Sequence, residues 1–176
     1  LGDYGGTTAD DGVGRLIDTI MAHDEISVVT IGPATNIAEA LHREPRIAEH
    51  ARFIGMHGGI RRGYRGSEQP VPEYNVFIDV DAFRAVLAAP WEITLTPLDT
   101  CGIVWLDGDR YARVRDSAAP VARGIMANYI PWCEHLDQPD LHERRSTTLF
   151  DTVAVLLAFD RPDYERFLSM EDVSIG

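Results

Sequence analysis

The chain has 176 residues, of which 45% are hydrophobic, enough for one domain with a core of its own. Its 28 acidic and 16 basic residues give a formal net charge of −12, and the basic residues are scattered apart from two arginine pairs, at 61–62 and 144–145. This pattern excludes a track for a phosphate backbone, and the apolar runs are too short for a transmembrane helix, so we expect neither a nucleic-acid nor a membrane partner.

Strands and helices alternate over the first hundred residues. The run "ISVVTIG" is continuous and β-branched and ends at Gly32-Pro33, which is typical of a strand buried on both faces. The segment "ATNIAEALHRE" has apolar residues at helical spacing, with Thr35 or Asn36 as the expected cap. The predicted elements are a helix over 13–21, a strand over 26–32, a helix over 34–44, and strands over 51–59 and 91–99. This alternation predicts a parallel α/β sheet covered by helices.

The second half of the chain is different. From residue 105 the apolar residues recur at helical period with no good strand between them. We therefore expect a mainly helical C-terminal half that packs beside or caps the carboxyl ends of the strands, where open α/β sheets place their ligands.

Polar and glycine residues follow each predicted strand, in "IGPATN", "MHGG" and "PLDTCG". Glu73 and Asn75 follow in "PEYN", between the second and third strands. For each of these residues a structural role is the alternative to a binding role: Asn36 as a helix cap, Asp99 as an acceptor for loop amides, and Glu73 as a plain surface residue. Asp151 stands at the leading edge of an apolar helix, where a carboxylate after Ser146 and two threonines favours helix initiation. His57, within "MHGG", either faces a pocket or has a structural role.

Taken in order, the motifs resemble one family. "VVTIGPATNIAEAL", "MHGG", "EYNVFIDVDAFRAVL", "ITLTPLD" and "LFDTVAVLLAFD" are similar to successive motifs of the inosine-uridine preferring nucleoside hydrolases, which are calcium-dependent N-ribohydrolases. The resemblance covers nearly the whole chain. It implies a Rossmann-like α/β domain whose active site lies at the strand carboxyl ends, with one Ca²⁺ that holds a water and two ribose hydroxyls.

The resemblance also implies roles for single residues. Asp151 corresponds to a late calcium-binding aspartate and is the expected catalytic residue, while the main-chain carbonyl of Ile31 is the second expected calcium ligand. Glu73 and Asn75 correspond to an acid and an amide that hydrogen-bond the ribose hydroxyls. Met56 corresponds to a methionine that lines the sugar pocket.

The chain departs from the family pattern in three places. It lacks the N-terminal "DxDPGxDD" motif, so we expect residues 1–176 to form a single but incomplete domain, without the N-terminal strands and the C-terminal end. Phe150 stands where relatives often have a histidine near the leaving base; it cannot donate a proton, so it either stacks on the base or simply packs. Ser67 stands where an asparagine commonly binds the sugar.

We therefore expect an enzyme that hydrolyses purine or pyrimidine ribonucleosides to free base and ribose with a calcium-activated water. The main alternative is an inactive homologue that binds a nucleoside or ribose, and a weaker one is a phosphate held at the "GPATN" helix start. The resemblance implies a homo-oligomer. The two cysteines show no disulfide framework, which favours a reducing compartment, and we expect a cytoplasmic location.

Overall fold

The computed structural model describes residues 5–159 and 168–174. Within these residues the sheet consists of β1 (Ile26–Thr30), β2 (Ala51–Gly55) and β3 (Ile93–Leu95), in the order β1-β2-β3. Both strand pairs are parallel, with Thr30 opposite Gly55 and Gly55 opposite Leu95. The carboxyl ends of the three strands therefore lie at one edge of the sheet.

The helices surround this sheet and form most of the C-terminal half. They are α1 (Gly12–Met21), α2 (Thr35–Arg43), α3 (Ile47–His50), α4 (Tyr74–Ile78), α5 (Val80–Ala88), α6 (Leu98–Cys101), α7 (Gly108–Arg115), α8 (Pro120–His135), α9 (Leu141–Arg144) and α10 (Phe150–Leu157), with a 3₁₀ turn at Tyr64–Gly66. An isolated antiparallel bridge joins Asp107 to Arg145.

Two apolar clusters cover the two faces of the sheet, because successive strand residues point to opposite sides. Phe53 belongs to the first cluster, which also contains residues of α1, α2, α3 and α5. Ile54 belongs to the second, which contains residues of α6 and α10. The sheet is thus a middle layer between helices.

The structure confirms the predicted α/β class, the predicted strands and the mainly helical second half. Two local expectations were wrong. Neither Thr35 nor Asn36 caps α2: the cap position is Ala34, which has no side-chain oxygen to offer. The strand β1 is fully buried only on the face of Val28 and Thr30, because its other face is partly covered by the smaller second cluster.

In the part of the chain that the structure describes, the helices are all too short or too polar to cross a membrane.

The substitution Phe53→Ala tests how much the first apolar cluster stabilises the fold. The ring of Phe53 is fully buried and stacks on Trp91 at 5.3 Å between centroids. Phe53→Ala should lower the free energy of unfolding by about 3–5 kcal/mol, because the change leaves a cavity that the neighbours fill incompletely. Urea unfolding measures the loss.

The matched control is Phe77→Ala on α4, whose side chain is 65% exposed. This change should alter the free energy of unfolding by no more than about 0.5 kcal/mol. Equal losses for both variants would contradict the assignment of Phe53 to the core.

Candidate functional site

The candidate site lies at the edge of the sheet where β1 and β2 end. Ile31 directly follows β1 and is exposed, so its main-chain carbonyl stands at this edge. Met56 directly follows β2 and its N–H donates to the Thr30 carbonyl at 3.0 Å, which extends the strand pairing by one residue. The two candidate segments are therefore fixed to each other by the sheet.

Glu73 is buried at this edge, with only 4% of its surface exposed. It caps α4 by accepting the main-chain N–H groups of Asn75 at 2.8 Å and Val76 at 3.1 Å, and it also accepts the N–H of Gly58 at 3.0 Å. The expectation that Glu73 is a plain surface residue was wrong. A carboxylate has about four lone-pair directions, so roughly one remains for a ligand.

Asn75 presents an acceptor to the same edge. Its Nδ2 donates to the Met56 carbonyl at 2.9 Å and lies 3.3 Å from the Met56 sulfur. Since a carbonyl can only accept, the amide orientation is fixed and Oδ1 faces the other way. Within the described residues Oδ1 has no hydrogen-bond partner, so it is available to a hydroxyl group.

Asp151 lies in the first turn of α10 but does not cap it. The cap position is Leu149, and within residues 5–159 and 168–174 the Asp151 carboxylate accepts no hydrogen bond. Ser146, which the sequence suggested as one of three helix-starting residues, does not cap α10, because its hydroxyl accepts the N–H of Leu106 at 2.8 Å. Asp151 is thus a first-turn carboxylate that the helix dipole favours, as the sequence suggested, but it makes no capping hydrogen bond and, among the described residues, keeps its oxygens open.

Negative charge accumulates between these elements. Partial burial raises the pKa of Asp151, although the side chain reaches solvent, and the charge of Glu73 raises it further. Burial also raises the pKa of Cys101 to about 12, with smaller contributions from Asp151, Glu73 and Asp99. Across the described ranges, neither Asp151 nor Glu73 forms an ion pair, so the field of these carboxylates is not neutralised by a basic side chain.

Asp99 has the structural role that the sequence suggested. Its two carboxylate oxygens accept the N–H groups of Ile60 and Arg61, each at 2.7 Å. It thereby fixes the loop after β2 to the start of α6. Its charge still contributes to the field around Cys101.

The donors fit calcium in kind but not in number. Asp151 and the Ile31 carbonyl offer oxygen ligands, which Ca²⁺ prefers, but the ion takes six to eight of them. In the stretches that the structure describes, no group of three or more histidine, cysteine or acidic side chains could hold a metal ion. The described residues alone do not form a complete calcium site.

His57 does not face the site. It is fully buried, its Nε2 donates to the Gly32 carbonyl at 3.0 Å, and its ring stacks on Phe83 at 4.8 Å. Burial lowers its pKa, while the charge of Glu73 opposes this shift. With the proton on Nε2, the lone pair of Nδ1 is buried and has no hydrogen-bond partner among the described residues. His57 is thus a packing residue that holds the segment after Ile31.

Ser67 and Phe150 are placed differently. Ser67 is exposed, and its hydroxyl bonds to the main chain of Gln69, so it shows no contact with Glu73 or Asn75. Phe150 is half-buried and meets the ring of Tyr64 edge-on, with centroids 6.0 Å apart. Sequence reasoning missed Tyr64, although an aromatic residue between glycines in "GYRG" was a usable signal.

The phosphate alternative loses support at the start of α2. The Thr35 hydroxyl donates to the Asp79 carboxylate at 2.6 Å, and this bond is the largest cause of a lowered Asp79 pKa. An ionised carboxylate therefore lies beside the first residue of α2. Its charge opposes the binding of an anion there.

Known proteins resemble this chain in sequence and structure. The sequence model of the family described as "Inosine-uridine preferring nucleoside hydrolase" matches residues 5–175. The inosine-uridine preferring nucleoside hydrolase of Leishmania major is 41% identical over 87 residues, which are 48% of this chain and 27% of that protein. The enzyme of the same name from Crithidia fasciculata is 37% identical over 90 residues, 49% of this chain and 28% of that protein.

A solved structure has the same fold. The purine-preferring ribonucleoside hydrolase from Gardnerella vaginalis superposes with a TM-score of 0.68 at 25% identity, over 90% of this chain and 50% of that chain. The chain thus spans half of this structure, and its alignments span less than a third of the two curated relatives.

Glu73→Gln tests the capping role of the buried carboxylate. An amide would turn one of the two acceptor oxygens into a donor that faces a main-chain N–H, so at least one charge-assisted hydrogen bond is lost. We expect the free energy of unfolding to fall by about 1.5–3 kcal/mol in urea denaturation.

The matched control is Asp79→Asn. Asp79 caps α5 by accepting the Ala82 N–H at 3.0 Å, and asparagine is an equally good cap. The Thr35 hydroxyl can also rotate to accept from the new amide. The control should lose much less unfolding free energy than Glu73→Gln. Equal losses would contradict the conclusion that the three hydrogen bonds to Glu73 stabilise the fold more than a single cap bond does.

His57→Gln tests the buried imidazole. The pKa of His57 is lowered from its usual 6.5, so the unfolded chain takes up a proton before the folded protein does. Its contribution to stability is therefore complete above about pH 7 and is lost as the pH falls through 6.5 toward the folded pKa. Glutamine does not titrate, so wild type should lose stability relative to the variant between about pH 7.5 and 5.5.

The measurement is the difference in unfolding free energy between the two proteins across this range. Other titrating groups are common to both and cancel in the difference. A difference that stays constant with pH would contradict a buried neutral histidine.

Proposed function

The chain belongs to the inosine-uridine preferring nucleoside hydrolase family, and from this membership we propose that the complete protein hydrolyses the N-glycosidic bond of ribonucleosides. The products are the free base and ribose. The proposal is supported by the position of Glu73 and Asn75, which hydrogen-bond to Gly58 and Met56 after β2, and by Asp151, whose pKa the charge of Glu73 raises. The carboxyl ends of the strands form the edge at which parallel α/β sheets bind ligands.

Asn75 and Glu73 are proposed to hold the ribose. The open Oδ1 of Asn75 accepts a proton from one hydroxyl, and the remaining lone pair of Glu73 accepts from another. Because both side chains are already fixed by main-chain hydrogen bonds, little side-chain entropy is lost when the sugar binds. Met56 supports this binding, because its main-chain carbonyl accepts a hydrogen bond from Asn75 Nδ2 and so fixes the amide.

We propose that Asp151 and the Ile31 carbonyl are two of the ligands of a calcium ion. The unneutralised charge of Asp151 and Glu73 supports a cation at this edge, and further ligands must come from outside the described residues. The chemistry that calcium supplies when bound is activation of the attacking water. Asp151 then has two roles, as a ligand and as a charge that stabilises the cationic sugar of an oxocarbenium-like transition state.

Phe150 supports one alternative function. An aromatic hydrocarbon cannot protonate a departing base, so a chain with Phe150 beside Asp151 is compatible with a homologue that binds a nucleoside without cleaving it. The expected homo-oligomer and cytoplasmic location stay predictions, as does the choice between purine and pyrimidine bases.

The first test is release of reducing sugar by the complete protein from purine and pyrimidine nucleosides, with and without a calcium chelator. Asp151→Ala should lower kcat/KM by more than about 100-fold, because loss of even the outer partners of a metal costs about 10–100-fold. The chelator should remove the wild-type activity.

Asp109→Ala is the matched control, since Asp109 is an exposed acidic residue in the first turn of α7 as Asp151 is in that of α10. It should keep wild-type activity. No release from any nucleoside, together with retained binding of a nucleoside or ribose, would establish the binding homologue instead.

A further inference from the structure

The helix that carries Asn75 is only one turn long. It has five residues, Tyr74–Ile78, and a helix this short is not stable through its own hydrogen bonds. Its place relative to the sheet must therefore be set by groups outside the helix. Asn75 lies in the first turn, where the main-chain N–H groups have no acceptor within the helix. The position of its open Oδ1 thus depends on what those N–H groups bind.

The first three N–H groups of α4 all have a side-chain acceptor. Those of Asn75 and Val76 donate to the Glu73 carboxylate, at 2.8 Å and 3.1 Å. The N–H of Tyr74, the first helical residue, donates instead to the hydroxyl oxygen of Tyr64 at 2.8 Å. A capping side chain reaches the second and third N–H groups, so the first needs an acceptor from elsewhere. Tyr64, ten residues earlier in the chain, supplies it.

A tight turn fixes the main chain of Tyr64. The 3₁₀ turn Tyr64–Gly66 contains Arg65 at φ 58°, a left-handed conformation that is uncommon for arginine and persists only where neighbouring contacts hold it. The Gly63 N–H donates to the Ser67 carbonyl at 2.9 Å and closes the turn. A Cβ atom on Gly63 would lie 2.5 Å from the Gln69 carbonyl oxygen, so the turn packs closely against the segment that follows it.

The ring of Tyr64 is held from a second direction. It meets the ring of Phe150 edge-on, with centroids 6.0 Å apart and an interplanar angle of 79°. Phe150 is the first residue of α10 and packs against the second apolar cluster. The hydroxyl oxygen is therefore held beside the Tyr74 N–H by a ring that is itself in contact with the core. A phenylalanine at position 64 would keep this ring and remove only the acceptor.

We propose that Tyr64 is a positioning residue of the hydrolase, whose hydroxyl fixes the first turn of α4 and thereby the Asn75 Oδ1 that accepts a ribose hydroxyl. This inference rests on the proposed function. Tyr64 acts through Asn75 and is assigned no contact with the sugar. Without the Tyr64 hydroxyl the Tyr74 N–H loses its acceptor in the protein, so the start of α4 gains freedom that is lost again when ribose binds.

The test is Tyr64→Phe in the complete protein. The variant should lower kcat/KM for nucleosides and raise the inhibition constant of free ribose, each by about 2–10-fold, the range that one net hydrogen bond gives. The inhibition constant of the free base should not change, because the lost acceptor positions a group that binds the sugar. Amide hydrogen exchange at Tyr74, Asn75 and Val76 should be faster than in wild type.

A double-mutant cycle with Asn75→Ala tests whether Tyr64 acts through Asn75. When Asn75 is already alanine, Tyr64→Phe should have no further effect on kcat/KM, so the two effects are not additive. Additive effects would overturn the proposal, since Tyr64 would then act independently of Asn75.

Tyr129→Phe on α8 is the matched control, because the Tyr129 hydroxyl also bonds to the main chain, donating to the Arg145 carbonyl at 2.9 Å. It should leave kcat/KM and the inhibition constant of ribose unchanged. If Tyr64→Phe leaves both unchanged as well, while the amides of α4 exchange faster, Tyr64 has a structural role only and the proposal is overturned. Equal losses in the two variants would also overturn it.

Failure of the proposed function gives a different result. If wild type releases no sugar, equilibrium binding of ribose is measured in the same variants. Weaker binding in Tyr64→Phe but not in Tyr129→Phe would support the positioning role in a binding homologue, and equal binding in all three proteins would overturn it. A wild type that neither releases sugar nor binds ribose would overturn both proposals, whereas sugar release that Tyr64→Phe leaves unchanged would overturn only this one.

Discussion

The buried carboxylate of Glu73 is the constraint on which the candidate site depends. It accepts three main-chain N–H groups, two from the first turn of α4 and one from Gly58 in the loop after β2. Without it, these N–H groups would be left unpaired in a buried environment, which is costly. The carboxylate therefore sets where α4 begins relative to the sheet, and so where Asn75 lies.

Glu73 and Asn75, which are two residues apart, have different roles in this arrangement. Glu73 uses most of its hydrogen-bonding capacity on the protein, whereas Asn75 uses its amide hydrogens on Met56 and keeps its carbonyl oxygen open. The open acceptor is rigid because its own amide is held, and the helix that carries it is held by Glu73. In the proposed binding of the ribose, a hydroxyl group would meet a fixed acceptor, which reduces the entropy lost on binding.

Much of the fold could be predicted from the sequence, because buried parallel strands such as "ISVVT" are continuous apolar runs and amphipathic helices such as α1 show a clear period. The caps could not be predicted. Ser146 and Thr35 have good capping side chains, but each bonds to a distant partner, Leu106 and Asp79, that local patterns do not reveal. Glu73 and Asn75 were found through a resemblance, whereas the contacts of Tyr64 with Tyr74 and Phe150 join segments that are far apart in the chain, and the aromatic residue in "GYRG" was the one local signal for them.

Two features that are unusual for a stable fold lie near the same edge of the sheet. Asp151 stands in a helix turn without capping it, and its pKa is raised rather than lowered. Arg65, directly after Tyr64, adopts a left-handed conformation. The raised pKa of Asp151 and the left-handed conformation of Arg65 are both unfavourable for folding alone, whereas natural sequences are otherwise locally consistent. Departures from local consistency are expected at functional sites, so the position of these two features near the open acceptor of Asn75 agrees with the proposed site.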